Sequence, residues 1–127
     1  MLRIRIVIAA FSLVLTISTN SFADGDPANG EKVFRKCAAC HSLEAGKIKI
    51  GPPLHNLFGR RSGAIDGFRY SKAMEAAGIV WTPETLDRYL AAPGKVVPGN
   101  RMPFPGLRKK HERADLIAYL NKKFGTR

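Results

Sequence analysis

The chain has 127 residues, with 21 Lys and Arg against 10 Asp and Glu, so its formal net charge is +11. With 45% hydrophobic and 24% charged residues it has a globular rather than a disordered composition, and its length fits one compact domain. Two cysteines are too few for a disulfide scaffold, and one long apolar run is too short for a polytopic membrane protein.

The first element in chain order is not part of the fold. Arg3 and Arg5 open the chain, Ile6 to Ile17 is almost continuously apolar, and Ser21-Phe22-Ala23 ends in small residues. This is the layout of a secretory signal peptide, with cleavage expected after Ala23. The apolar run falls well short of the ~20 residues that span a bilayer. Cleavage removes two arginines and no acids, so residues 24–127 form a domain of 104 residues carrying +9. In a bacterium the compartment is the periplasm. A domain of this size has a modest core and benefits from anything that adds buried apolar area.

Asp26-Pro27 reads as an N-cap followed by proline in the first turn. Gly30, Val33, Phe34 and Cys37 then recur at helical spacing, which predicts a helix from about Pro27 to Ala39. Residues 42–70 are punctuated by Gly46, Gly51, Pro52, Pro53, Gly59, Gly63 and Gly67. A loop of that length is expected to be functional or to wrap something. Ser71 to Ala77 reads as a short helix with Ser71 as N-cap and Gly78 as its stop. Thr82-Pro83 starts another, with Trp81 and Leu86 placed as a hydrophobic staple and Pro93 as its end. Residues 93–106, with Pro93, Gly94, Pro98, Gly99, Pro103, Pro105 and Gly106, predict an irregular loop. A last helix is expected from about Glu112 to Phe124, with Leu116, Ile117, Leu120 and Phe124 on one face. Nothing reads as a strand, so the class is all-α: three to five helices with long loops.

Cys37-Ala38-Ala39-Cys40-His41 is the C-x-x-C-H pattern of c-type haem attachment. Two thiols three positions apart can each add to one haem vinyl group, and the following histidine is placed to bind the iron through Nε2. A thioredoxin-like redox pair would need a βαβ context, which is not visible. A zinc site would need further ligands, and His55 and His111 stand isolated. The predicted cofactor is therefore one covalent haem c. The sixth iron ligand has four candidates, Met74, Met102, His55 and His111. Met102, in the proline-rich loop, is favoured by position. Met74 falls in a predicted helix, where a methionine usually fills a core gap, and the two histidines read as surface residues.

With these residues in hand the chain resembles the class I c-type cytochromes, close to mitochondrial cytochrome c and its bacterial periplasmic relatives. The likeness runs from about Gly30 to Phe124. It rests on Gly30-Glu31-Lys32-Val33-Phe34, Gly51-Pro52, Leu54-His55-Asn56-Leu57-Phe58-Gly59-Arg60 and Gly67-Phe68-Arg69-Tyr70, then on Gly78-Ile79-Val80-Trp81, Tyr89-Leu90, Pro98-Gly99-Asn100-Arg101-Met102 and Asp115-Leu116-Ile117-Ala118-Tyr119-Leu120. The resemblance implies a small cytochrome c fold and His41 and Met102 as axial ligands. It also implies that the Pro52 carbonyl accepts from His41 Nδ1 and that Tyr89 donates to the Met102 sulfur. Arg60, Tyr70, Trp81 and Asn100, with the Gly63 backbone, are implied at the propionates, and Gly30 and Tyr119 where the first and last helices cross. Met74, Asn100 and Gly94 depart from the family pattern, standing where asparagine, threonine and lysine are common, and Pro103 and Pro105 stiffen the ligand loop.

The implied function is a periplasmic one-electron carrier, not an enzyme, running from a membrane cytochrome bc-type complex to a terminal oxidase or photosynthetic reaction centre. Two rival functions use the same cofactor: a dedicated acceptor for a periplasmic dehydrogenase, and a haem peroxidase, which needs an open or labile axial site. A haem-free zinc or thiol-disulfide module is the third class. The +9 charge is expected to steer acidic partners through Lys36, Lys49, Lys95, Arg101, Arg108 and Lys109 around one haem edge. No nucleic-acid motif is present, membrane contact is expected to be peripheral at most, and the expected state is a monomer.

Overall fold

The computed structural model describes residues 25–125; the predicted signal peptide, residues 1–23, lies outside the described residues. Five helices follow in order: α1 (Pro27–Ala38), α2 (Lys72–Ala76), α3 (Pro83–Ala91), α4 (Pro93–Val96) and α5 (Lys110–Phe124). The expected all-α class holds, and among the described residues the only extended pairing is an isolated antiparallel bridge between Arg61 and Val80. No described helix is long and apolar enough to cross a membrane.

Three helix starts follow their local chemistry. The Asp26 carboxylate accepts from Ala28 N, Ser71 Oγ from Met74 N, and Thr82 Oγ1 from Thr85 N. Each satisfies an amide that has no partner inside its helix. At α3 the cap is reciprocal, since Thr85 Oγ1 accepts from Thr82 N at 2.7 Å.

Two expectations are corrected. The 93–106 segment is not irregular throughout: Pro93 ends α3 and at once starts the single turn α4, because its fixed φ and missing N–H suit a first helical position. The last helix begins at Lys110 rather than Glu112. Its N-cap is Lys109, with no side-chain cap bond, so the sequence carries no start signal there.

The helices α1 and α5 make the most extensive contact, and α3 packs on α5 and α4. Val33 of α1 and Ile117, Tyr119 and Leu120 of α5 are buried, and the Phe34 and Tyr119 rings tilt together at 5.8 Å across the helix pair. Other buried side chains, Leu57, Trp81, Leu86, Tyr89, Leu90 and Leu116, also face a cavity. The core is thus built around a hollow that the long loops enclose.

Candidate cofactor site

The cavity holds about 600 Å³, within the range of pockets that enclose a large ligand. One wall comes from the end of α1. Cys40 N and His41 N both donate to the Cys37 carbonyl, at 3.0 and 2.9 Å, and this turn brings Cys37, Cys40 and His41 to the cavity together. Both cysteines are half-buried free thiols. Burial, then the neighbouring Cys40, push the Cys37 thiol above its ordinary range, against the pull of Lys36.

His41 is fixed by the chain that follows. Its Nδ1 lies 2.8 Å from the Pro52 carbonyl, which can only accept, so Nδ1 carries the proton and Nε2 keeps its lone pair. Burial lowers the His41 pKa further than the Pro52 bond raises it, which keeps the ring neutral, as a metal ligand must be. Gly51 permits this: a Cβ there would lie 2.5 Å from His41 Cε1. Its amide also donates to the Cys40 carbonyl at 2.7 Å.

The 97–109 segment supplies Met102 to the lining. Of the four sequence candidates for the sixth ligand, Met74 and Met102 line the cavity and the two histidines do not. His55 is half-buried rather than a plain surface residue, with its ring edge-on to Phe124 at 5.1 Å. The His111 side chain is exposed. Asn100 organises the Met102 backbone. Its Oδ1 accepts from Met102 N at 2.8 Å, and its Nδ2 donates to the Pro93 and Val97 carbonyls at 3.1 and 2.9 Å. That amide is directed into its own loop and offers no free N–H to the cavity, unlike the donor that the family pattern implies.

Polar groups gather on a further part of the lining. Arg60 Nη1 and Nη2 donate to the His55 and Pro53 carbonyls at 3.0 and 2.9 Å, and no carboxylate pairs with it among the described residues. A half-buried guanidinium held this way is suited to an anionic group inside the cavity. Tyr70 Oη accepts from Ile65 N at 3.3 Å and keeps its own proton to donate. Among the described residues no fully buried polar side-chain atom lacks a partner, so the Trp81 N–H and Tyr89 O–H, which have none there, open onto the cavity. Burial pushes the Tyr89 pKa up to about 12, which keeps it a donor. Pairing of the Arg60 and Trp81 backbones, with Trp81 N 2.9 Å from Arg60 O, sets these two side chains together.

Neutral imidazole, thioether, two thiols, an unpaired cation and an apolar lining fit haem, whose faces are apolar and whose propionates are anionic. The basic residues expected around the edge are less uniform than the sequence suggests. Lys36 pairs with Glu112 at 3.2 Å, Lys49 donates to the Ala38 carbonyl, and Arg101 Nη2 donates to the Tyr70 carbonyl at 3.2 Å. Lys95, Arg108 and Lys109 are exposed and unpaired among the described residues. Ile50, 75% exposed beside the cavity mouth, went unnoticed in the sequence, where an isolated isoleucine in a loop carries no signal.

The family model for cytochrome c matches residues 27–123. Cytochrome c of Chlamydomonas reinhardtii is 56% identical over 98 residues, 76% of this chain and 88% of the relative. Cytochrome c2 of Rhodomicrobium vannielii is 42% identical over 121 residues, 94% of this chain and 97% of the relative. The solved structure of cytochrome cH from Methylobacterium extorquens superposes with a TM-score of 0.74 at 42% identity, over 78% of this chain and all of that one.

Proposed function

Because the chain belongs to the cytochrome c family, we propose that it is a periplasmic one-electron shuttle between a membrane cytochrome bc-type complex and a terminal oxidase or photosynthetic reaction centre. The chain is an electron carrier with one covalent haem c on Cys37 and Cys40, ligated by His41 and Met102. Bound haem supplies an iron that exchanges single electrons without a change of ligands. The carrying observation is the pairing of a neutral, tautomer-fixed His41 with Met102 in one cavity, because an imidazole and a thioether would together hold a haem iron and raise its potential.

The chain's own residues divide the remaining work. The Pro52 carbonyl holds the His41 ring. Tyr89 donates toward the Met102 sulfur, and Arg60, Tyr70 and Trp81 serve the propionates. Covalent attachment would keep the haem in the cavity, and the apolar walls exclude water from it. Lys95, Arg108 and Lys109, with Arg101 at the mouth, steer an acidic partner, and Ile50 gives the docked complex an apolar contact. Lys36 contributes less, since Glu112 already offsets its charge.

The purified holoprotein should be reduced by the bc-type complex and oxidised by the oxidase or reaction centre. Raising the salt well above 0.1 M, where the Debye length is about 10 Å, should slow the second-order reaction about 10-fold or more. Lys95→Glu and Lys109→Glu should slow association more than Lys36→Glu, and Lys122→Glu, on the terminal helix, should matter least. Stopped-flow rates that are flat across ionic strength would assign the positive charge to solubility alone. Mass spectrometry of the exported protein should find Asp24 at the N-terminus; retention of residues 1–23 would refute the proposed signal cleavage.

A further inference from the structure

Arg113 is the only charged side chain that is buried among the described residues, at 9% exposed. Its Nε donates to Asp87 Oδ1 on α3 at 2.7 Å, and its Nη1 donates to the Leu107 and Arg108 carbonyls at 2.9 and 3.1 Å. Those carbonyls close the segment that carries Met102. Beside them Leu107 N donates to the Leu90 carbonyl at 2.7 Å. Gly106, at φ +107, presses on α3 so closely that a Cβ would lie 2.6 Å from the Ala91 carbonyl. One guanidinium therefore ties α5 to α3 and to the C-terminal end of the ligand loop.

We propose that the Asp87–Arg113 pair is a positioning device for Met102, setting how often the thioether leaves the iron. The reasoning is mechanical and electrostatic. A loop that swings out pivots on its two ends. Asn100 and the Val97 N–H, bonded to the Pro93 carbonyl at 3.0 Å, secure one end. At the other end Arg113, in the first turn of α5, donates to the Leu107 and Arg108 carbonyls and so holds the backbone that leads into the helix. Movement of 103–108 must break those bonds. Asp87 makes Arg113 tenable there, because a buried guanidinium without a counter-charge is costly. The same short helix α3 carries Asp87, Tyr89 and Leu90, so loop end, ligand partner and clamp move as one body.

The inference rests on Met102 as iron ligand and is tested on the oxidised holoprotein with imidazole as the probe. Imidazole binds only when Met102 has left, so its apparent affinity scales with the open fraction. Asp87→Asn keeps the shape of the side chain and removes its charge; it should tighten imidazole binding about 10-fold, while Asp87→Glu stays near native. In a Met102→Ala background, where no thioether gates the iron, Asp87→Asn should leave the affinity within about twofold, since the coupling partner is gone. Val33→Ala, buried on α1 and outside the cavity lining, should lower the unfolding midpoint and leave imidazole affinity unchanged. Equal tightening by Asp87→Asn in both backgrounds, equal tightening by Val33→Ala, or no tightening at all would each reduce the pair to general stabilisation. If Met102→Ala itself fails to strengthen imidazole binding, the ligand assignment is what fails.

Discussion

Met102→Ala should leave the haem attached, abolish the sulfur-to-iron charge-transfer band and lower the reduction potential. Attachment survives because it depends on Cys37, Cys40 and His41, which a different segment holds, the end of α1 and the turn after it. The loop also survives, since Asn100, Leu107 and Arg113 hold it without the thioether. Truncating a half-buried methionine costs about 2–5 kcal/mol, which a covalently loaded domain of this size can absorb in part. The fall in potential should be on the order of 100 mV or more, a fraction of the ~0.8 V over which axial ligands tune haem iron. The opened position should take up azide or imidazole, and a weak peroxidase activity should appear. Met74→Ala is the discriminating control. Met74 lines the same cavity but comes from α2, a helix capped at Ser71 and held against the 62–63 loop, so its loss should change packing and not the band. If the band vanishes in Met74→Ala and persists in Met102→Ala, the ligand is the other methionine.

What the sequence made legible divides by physical range. Motifs whose chemistry is local were readable outright: Cys37-Ala38-Ala39-Cys40-His41, the Asp26, Ser71 and Thr82 caps, and the Trp81 and Leu86 pair, both of which are buried. The α5 start is not legible because Lys109 gives no cap signal, and α4 is not because one turn behind a proline has no periodicity to read. Roles set by contacts across the fold were the least legible. Asn100 carries a donor that either a propionate or a carbonyl could use, and only the folded loop shows it turned toward Pro93 and Val97. The Asp87–Arg113 pair spans 26 positions. Its one local trace is Arg113 itself, three and four residues before Leu116 and Ile117, on a face that is otherwise apolar. The charges show the same division: their sum is a sequence property, but that Lys36 is partly neutralised by Glu112 is not.

Gly30→Ala should destabilise the protein by about 3 kcal/mol, even though alanine is the better helix former by about 1 kcal/mol. The sign follows from the helix crossing. A Cβ on Gly30 would lie 1.9 Å from the Asp115 carbonyl oxygen and 2.7 Å from Tyr119 Cβ. The first neighbour is backbone, so no side-chain rotation relieves it, and α1 must move away from α5. That contact is the most extensive in the fold and brings the Phe34 and Tyr119 rings together. Moving it also shifts the end of α1, which carries Cys37 and leads into His41, and the face of α5 that presents Leu116 and Leu120 to the cavity. The thermal midpoint of the holoprotein should therefore fall by roughly 15 °C, at about 4–8 °C per kcal/mol for a small domain. Gly94→Ala, in the exposed turn of α4, is the matched control. A Cβ there meets nothing within 4 Å, so the midpoint should hold steady or rise by a few degrees as the unfolded chain loses freedom. Equal midpoints for the two variants would show that α1 and α5 yield at little cost, and that the close crossing is not what holds the haem-bearing turn in place.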